Sequence, residues 1–337
     1  MTRSSEVGWL GGVAIVTKEA KILFDPVPGE SIEKSAQIFI SHAHADHTYG
    51  FATAAKKYST ISTAKIYEGL KKMPVESFEE IRTNERVKVG DAEVVPLNAG
   101  HMLGSTQFKV ILPEKVVLYT GDINCINTLT TLAAEEVECD ELIMEATYGN
   151  PFYNFPTRER TYAEIVEWAT KELKNGRIPS FRVYAAGKAQ EIISLFNMYT
   201  TLSILAHPKI CRVNEVYAAH GLKLCYEDFS DNSLLPREKK ACIYVTISPA
   251  GLPSQKKTAK AIATGWAMRI SSEKFASFPI SSHADFRQLI EFARKSKAKK
   301  IYTFTGYKNI LASYLRSRLG IDAQPIPPLA QRRLIDY

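Results

Sequence analysis

The chain has 337 residues, 45% of them hydrophobic and 23% charged, with a formal net charge of +7. This balance excludes a disordered or fibrous protein and predicts a packed globular chain long enough for about two domains. No basic-flanked apolar leader and no run of about 18 apolar residues occurs, so neither a secretory signal nor a membrane span is expected and the predicted location is cytoplasmic.

In chain order, apolar and β-branched runs bounded by turn residues predict strands over 13–17, 21–24, 37–40, 93–97, 115–119 and 141–144. Helical patterns are read over 49–58 and 63–72, so the first half is expected to be sheet flanked by helices. From residue 157 the apolar spacing lengthens to helical periodicity over 157–174 and 187–199, with a strand over 181–184 between them. A second unit therefore begins near residue 148. After Pro279 a helix over 286–298, a strand over 300–304 and a helix over 307–319 close the chain. The five cysteines form no CxxC pair and are odd in number, which fits reduced thiols, most simply small buried apolar side chains. Between 254 and 300, eleven Lys and Arg stand against Glu273, Asp285 and Glu291. Such a segment is either a solvated face or the footprint of a polyanion.

The densest chemistry lies in SHAHADHTYGF, residues 41–51, where His42, His44, Asp46 and His47 follow an apolar run. Imidazole and carboxylate are the ligands of zinc and similar ions. His42 and His44, two apart, can point the same way from an extended turn, and Asp46–His47 then face a neighbouring point, an arrangement that suits two metals better than one. Further ligands must come from other strand ends: His101 follows VVPLNAG and Asp122 follows KVVLYTG. Asp25, after KILF, occupies the same kind of position and can orient a ligand histidine. His207 and His220 have no such company and are read as structural.

The motif HAHADH, with AGHMLGS and YTGD downstream and Asp25 upstream, resembles the metallo-β-lactamase superfamily. The resemblance implies a four-layer αββα sandwich in which His42, His44 and His101 hold a first metal, Asp46 and His47 a second, and Asp122 bridges both. It implies two zinc ions, with manganese as a substitute, and a hydroxide between them as nucleophile. Four later stretches, MEATYGNP, VYAAGKAQEI, TGWAMR and SSHADF, resemble the β-CASP nucleases within that superfamily, especially ligase-associated DNA exonucleases and RNA 3′-end-processing-like exonucleases. On that resemblance residues 1–147 and 281–337 form one discontinuous domain, and 148–280 form an inserted α/β β-CASP domain.

Glu145, Asp46 and His283 become catalytic candidates, with His283 protonating the leaving oxygen or contacting the scissile phosphate. Gly187 and Lys188 open a helix whose N–H groups and ammonium can share a phosphate, and Ser282 is placed beside them. The implied substrate is single-stranded DNA or RNA, and the implied partners are repair or RNA-processing complexes. A small-molecule hydrolase of thioesterase type, and an inactive scaffold subunit of a processing complex, are the alternatives. The insertion and its basic end disfavour the first, and the full set of ligand residues disfavours the second. One residue departs from the pattern: where RNA-cleaving members carry His before Gly at the end of the last motif strand, this chain carries Thr305. A hydroxyl is a poor zinc ligand, so the second metal is expected to bind more weakly, and a DNA substrate is favoured over RNA.

Overall fold

The computed structural model describes residues 5–229, 241–248 and 257–329. Three sheets organise them. The first runs β1 (Glu6–Trp9), β2 (Val13–Val16), β3 (Lys21–Phe24), β4 (Gln37–Phe39), β5 (Lys56–Ser59) and β6 (Glu79–Glu80), in that spatial order. The second begins with β7 (Val87–Val89), β8 (Ala92–Asn98), β9 (Thr106–Ile111), β10 (Val116–Tyr119) and β11 (Glu141–Glu145).

The chain then leaves to build a third sheet from β12 (Ile178–Arg182), β13 (Ser203–Ala206), β14 (Glu227–Asp228), β15 (Cys242–Thr246), β16 (Thr258–Ala263) and β17 (Ala276–Phe278), in the spatial order β14-β13-β15-β12-β16-β17. It returns to the second sheet through β18 (Lys300–Phe304), which pairs in parallel with β11, and β19 (Asp322–Pro325). All strand pairs of the third sheet recorded between described residues are parallel, which is why runs such as CIYVT are buried along their whole length.

Apolar side chains from the facing surfaces of the first two sheets form one core, with the Phe24 ring 5.4 Å from Phe108 and 4.7 Å from Tyr119. The outer face of the first sheet is covered by helix α1 (Ile61–Lys71), through Ile38, Leu23 and Ala64. That of the second is covered by α5 (Phe286–Lys295) and α6 (Lys308–Leu319), through Leu289, Phe292, Leu311 and Leu315. These are the four layers of an αββα sandwich, as the resemblance implied. Helices α2 (Arg158–Lys174), α3 (Lys188–Tyr199) and α4 (Pro208–Ala219) pack with the third sheet on a separate core. Ile66 of α1 and Val213 and Tyr217 of α4 join the two units in a small cluster with Met102 and Ala186.

The helix expected over 49–58 is a correction. Tyr49–Ala52 form one 3-10 turn, and Lys56–Ser59 enter the first sheet as β5 beside β4. The short pattern KKYS becomes a strand because its partners offer a ladder and bury Lys57, whose ammonium bonds the Thr53 carbonyl at 2.7 Å. The helix expected over 286–298 stops at Lys295, since Lys297 turns left-handed at φ 52. Strands β1, β6, β7, β9 and β13–β17, the edge strand β19 and helix α4 were not read from the sequence. Among the described residues no helix is long and apolar enough to cross a membrane.

Candidate metal centre

The strands of both sheets deliver polar side chains to one edge. Asp25 follows β3, His42 and its neighbours follow β4, His101 follows β8, Asp122 follows β10 and Glu145 ends β11. One ligand atom each from His42, His44, His101 and Asp122 lies within 4.8 Å of the others. Asp25, His42 and His47 form a second such group, and Asp122, Glu145 and His283 a third.

Hydrogen bonds fix which nitrogen of each ring faces inward. The Ser41 hydroxyl donates to Asp25 Oδ2, so at 3.0 Å from His42 Nδ1 it accepts, and His42 turns Nε2 to the centre. That Nε2 is buried without a hydrogen-bond partner, 3.4 Å from Asp122 Oδ2. His101 Nδ1 donates to the Ser282 carbonyl at 2.7 Å, and His44 Nε2 points to the Ala186 carbonyl at 3.4 Å. The inward atoms, His101 Nε2 and His44 Nδ1, are 3.0 Å apart. Burial holds His44 down to about 3 and pushes His42 and His101 well below the usual imidazole range, so all three rings are neutral at neutral pH. Two lone pairs facing at that distance, beside an unpartnered buried nitrogen and a carboxylate, repel each other unless a cation lies between them. The donor set therefore fits a divalent metal.

His47 is oriented differently. Its Nδ1 donates to Asp25 Oδ2 at 2.8 Å, and its Nε2 lies 3.5 Å from Asp122 Oδ2 and 3.6 Å from Asp46 Oδ2. Burial opposes its charge, yet Asp122 and Asp25 raise its pKa to about 10. Asp25 also accepts from Ser41 N at 2.7 Å and from the Tyr119 hydroxyl at 2.8 Å, so one carboxylate ties both sheets to the ligand loop. Asp46 is different again, with its side chain 80% exposed at the mouth of the centre. Burial, the largest influence, raises Asp122 to about 6.

His283 Nδ1 lies 3.1 and 3.0 Å from the two Glu145 oxygens, and its ring is 4.5 Å from His101. Burial opposes a charge on His283, but Glu145 and Asp122 raise its pKa above the ordinary value. Glu145, a catalytic candidate in the sequence, is fully buried and also accepts from Ile123 N at 2.7 Å, so its carboxylate is shared between that amide and the His283 ring.

Gly187 takes φ 86 as the cap of α3, and Lys188 is buried with its ammonium 5.0 Å over the Tyr184 ring. Burial lowers Lys188 to about 8. Ser282 meets the centre through its carbonyl, which accepts from the His101 ring. Thr305 also takes a left-handed backbone, φ 55, and its exposed hydroxyl donates to the Phe304 carbonyl at 2.7 Å.

Three cations of the basic segment are paired with acidic side chains. Lys295 bonds Glu136 at 2.6 Å, Lys299 bonds Asp140 at 3.0 Å, and Lys297 pairs with Glu138. These ammoniums sit at the far end of α5, about 15 Å from its start beside His283, by the rise of a ten-residue helix. Part of the segment, residues 254–256, lies outside the described residues. Ser41, Tyr119 and the Ala186 and Ser282 carbonyls escaped the sequence reading, because a backbone acceptor or a lone hydroxyl has no signature of its own.

Fold and centre together are those of a metallo-β-lactamase-type αββα sandwich, with a third, α/β unit built between β11 and β18. Residues 12–170 match the beta-lactamase superfamily domain. A probable DNA ligase from Opitutus terrae is 27% identical over 301 residues, 86% of this chain and 28% of the ligase. An RNase J-like protein from Methanocaldococcus jannaschii is 30% identical over 220 residues, 56% of this chain and 51% of that protein. The chain thus spans about a quarter to a half of the length of these curated relatives. A crystal structure of a protein of unknown function from Enterococcus faecalis V583 superposes with a TM-score of 0.67 at 14% identity, covering 96% of this chain and 97% of that one, a likeness of fold.

Proposed function

We propose that the chain is a metal-dependent nuclease hydrolysing phosphodiester bonds of nucleic acid, with exonucleolytic cleavage of DNA as the leading form and RNA processing as the alternative. The observation that carries this reading is the convergence of His42, His44, His101 and Asp122 on one point, next to a buried Glu145–His283 pair. Relatives named for DNA ligation and for RNase J support the substrate class.

His42, His44 and His101 would hold a first zinc, His47 and Asp46 a second, and Asp122 both. Bound zinc, or manganese in its place, would activate water and offset charge on the phosphate. The chain's own residues do the rest. The carbonyls of Ala186 and Ser282 and the Ser41 hydroxyl hold the three rings in the ligating orientation. Glu145 holds the Nδ1 proton of His283 and so turns Nε2 to the substrate side, where it can give a proton to the leaving oxygen. Asp46, at the exposed mouth, is the ligand that an arriving substrate meets first.

Metal analysis and digestion of single-stranded DNA and RNA, labelled at either end, test the proposal. His101→Ala and Asp122→Asn should each lose most of the bound metal and all detectable cleavage while circular dichroism is unchanged. Full metal content with wild-type cleavage in both variants would sink the assignment. The second metal should titrate as the weaker one, and Thr305→His should tighten it. Two equally tight metals and no gain in Thr305→His would show that another residue completes the second site.

A further inference from the structure

We infer that the groove beside His44 is a base-stacking track for a single-stranded polynucleotide, with Tyr184 and Trp266 as its platforms and Arg182 and Lys209 as its phosphate contacts. This rests on the nuclease reading and adds to it the path of the strand and the reason it must be single. The groove has a volume of about 490 Å³ and reaches the metal centre at His44. Its charged lining among the described residues is cationic apart from that imidazole: Arg182, exposed, and Lys209, half-buried. The cleft on the His283 side, about 440 Å³, is lined instead by Arg158 together with Glu159 and Asp285. A chain of phosphates is drawn along the first and discouraged from the second.

The aromatic side chains give the groove its second property. Tyr184 is 55% exposed and Trp266 is 37% exposed, unusual for rings beside a buried centre. Each is held in place from behind. The Lys188 ammonium lies 5.0 Å over the Tyr184 ring, which stands 5.9 Å from the His44 ring, and Trp266 packs at 4.8 Å on Tyr148. A ring fixed by a cation or a neighbour and open to the groove is a platform on which any base can stack, whatever its identity. Bases in a duplex are already stacked and paired, so a duplex gains little there.

The test uses full-length, metal-loaded protein and fluorescent twelve-nucleotide strands whose linkages resist cleavage: phosphorothioate DNA, 2′-O-methyl phosphorothioate RNA, the DNA duplex and an abasic DNA strand. Binding is read by anisotropy. Tyr184→Leu should weaken single-strand binding by about 5- to 150-fold, the effect of removing one stacked base. It should also abolish the preference for the base-bearing over the abasic strand, and Tyr184→Phe should restore both. Trp266→Leu should act in the same direction, with its melting temperature as the check that Tyr148 packing survives. Arg182→Gln with Lys209→Gln should flatten the salt dependence on every strand, abasic included.

A Tyr184→Leu variant that keeps the wild-type preference for bases, or a wild type that binds duplex as tightly as single strand, overturns the inference. Hydrolysis of bis(p-nitrophenyl) phosphate by the wild type separates the two readings, since that small diester needs the centre and no groove. If it is hydrolysed while the stacking results fail, only the groove is wrong; if it is not hydrolysed, the nuclease reading itself falls.

Discussion

Asp25 carries more of the centre than any ligand does. Its backbone is left-handed at φ 44, a conformation Asp tolerates better than most residues, and its carboxylate receives Ser41, Tyr119 and His47 at once. Removing it leaves buried donors without partners and frees His47 to turn. We expect Asp25→Ala to cost on the order of 3 kcal/mol of stability and to weaken the second metal by about 10- to 100-fold, while Asp25→Asn, which keeps one acceptor oxygen, loses less of both. Chemical denaturation and metal titration measure the two effects, and a variant with wild-type metal affinity would deny Asp25 its orienting role. Thr305 is the opposite case, a β-branched residue in a left-handed backbone whose hydroxyl bonds only the carbonyl of its chain neighbour Phe304. Relief of that strain should make Thr305→Asn more stable than wild type by about 0.5–1 kcal/mol, read as a higher denaturation midpoint.

Helix α3 is positioned by its first residues. Gly187 sits at φ 86 with ordinary room around it, the nearest atom to an added Cβ being Met102 Cβ at 3.5 Å, so an L side chain there is limited by backbone conformation and not by space. Gly187→Ala should therefore cost about 1–2 kcal/mol and displace the Ala186 carbonyl that faces His44. The expected signature is reduced affinity of the first metal with overall helix content retained; unchanged affinity would mean that His44 needs no such support. Helix α5 is fixed at its start by a complete capping box between Asp285 and Gln288, directly after the Ser281–His283 turn, in which His283 N donates to the Ser281 hydroxyl at 2.9 Å. Asp285→Ala should loosen that turn, at about 1 kcal/mol for the lost cap. The predicted consequence is slower cleavage with metal content retained, a split that a general loss of folding would not give.

At the scale of the molecule, charge is redistributed by folding. The lysines at 295, 297 and 299 look in the sequence like part of a polyanion track, but folding sets Glu136, Glu138 and Asp140 against them. Exposed pairs of this kind stabilise little, yet they cancel the local field. Lys297→Glu with Lys299→Glu should leave the salt slope of nucleic-acid binding near the wild-type value, whereas charge removal at Arg182 and Lys209 should lower it. Equal effects at both places would return the footprint to α5. Lys188, a lone basic residue at a helix start in the sequence, is buried in the fold with its ammonium 5.0 Å over the Tyr184 ring.

Much of the centre was legible because its residues are rare types at strand ends. Three histidines and an aspartate within six positions, and His101 and Asp122 each after a strand and a glycine, have no ordinary structural explanation, and period and turn residues located most of the strands that carry them. Short elements escaped or misled, as the Lys56–Ser59 strand did, because a run of four residues takes its conformation from the neighbour it pairs with. The sequence by itself determined which side chains could bind metal, and the resemblance of its motifs implied the sandwich with an insertion that carries them. Only the tertiary structure decided their orientation, because the carbonyls of Ala186 and Ser282 that turn His44 and His101 inward lie 142 and 181 residues away along the chain, and a hydrogen bond to a backbone oxygen is specified by folded geometry, not by residue type.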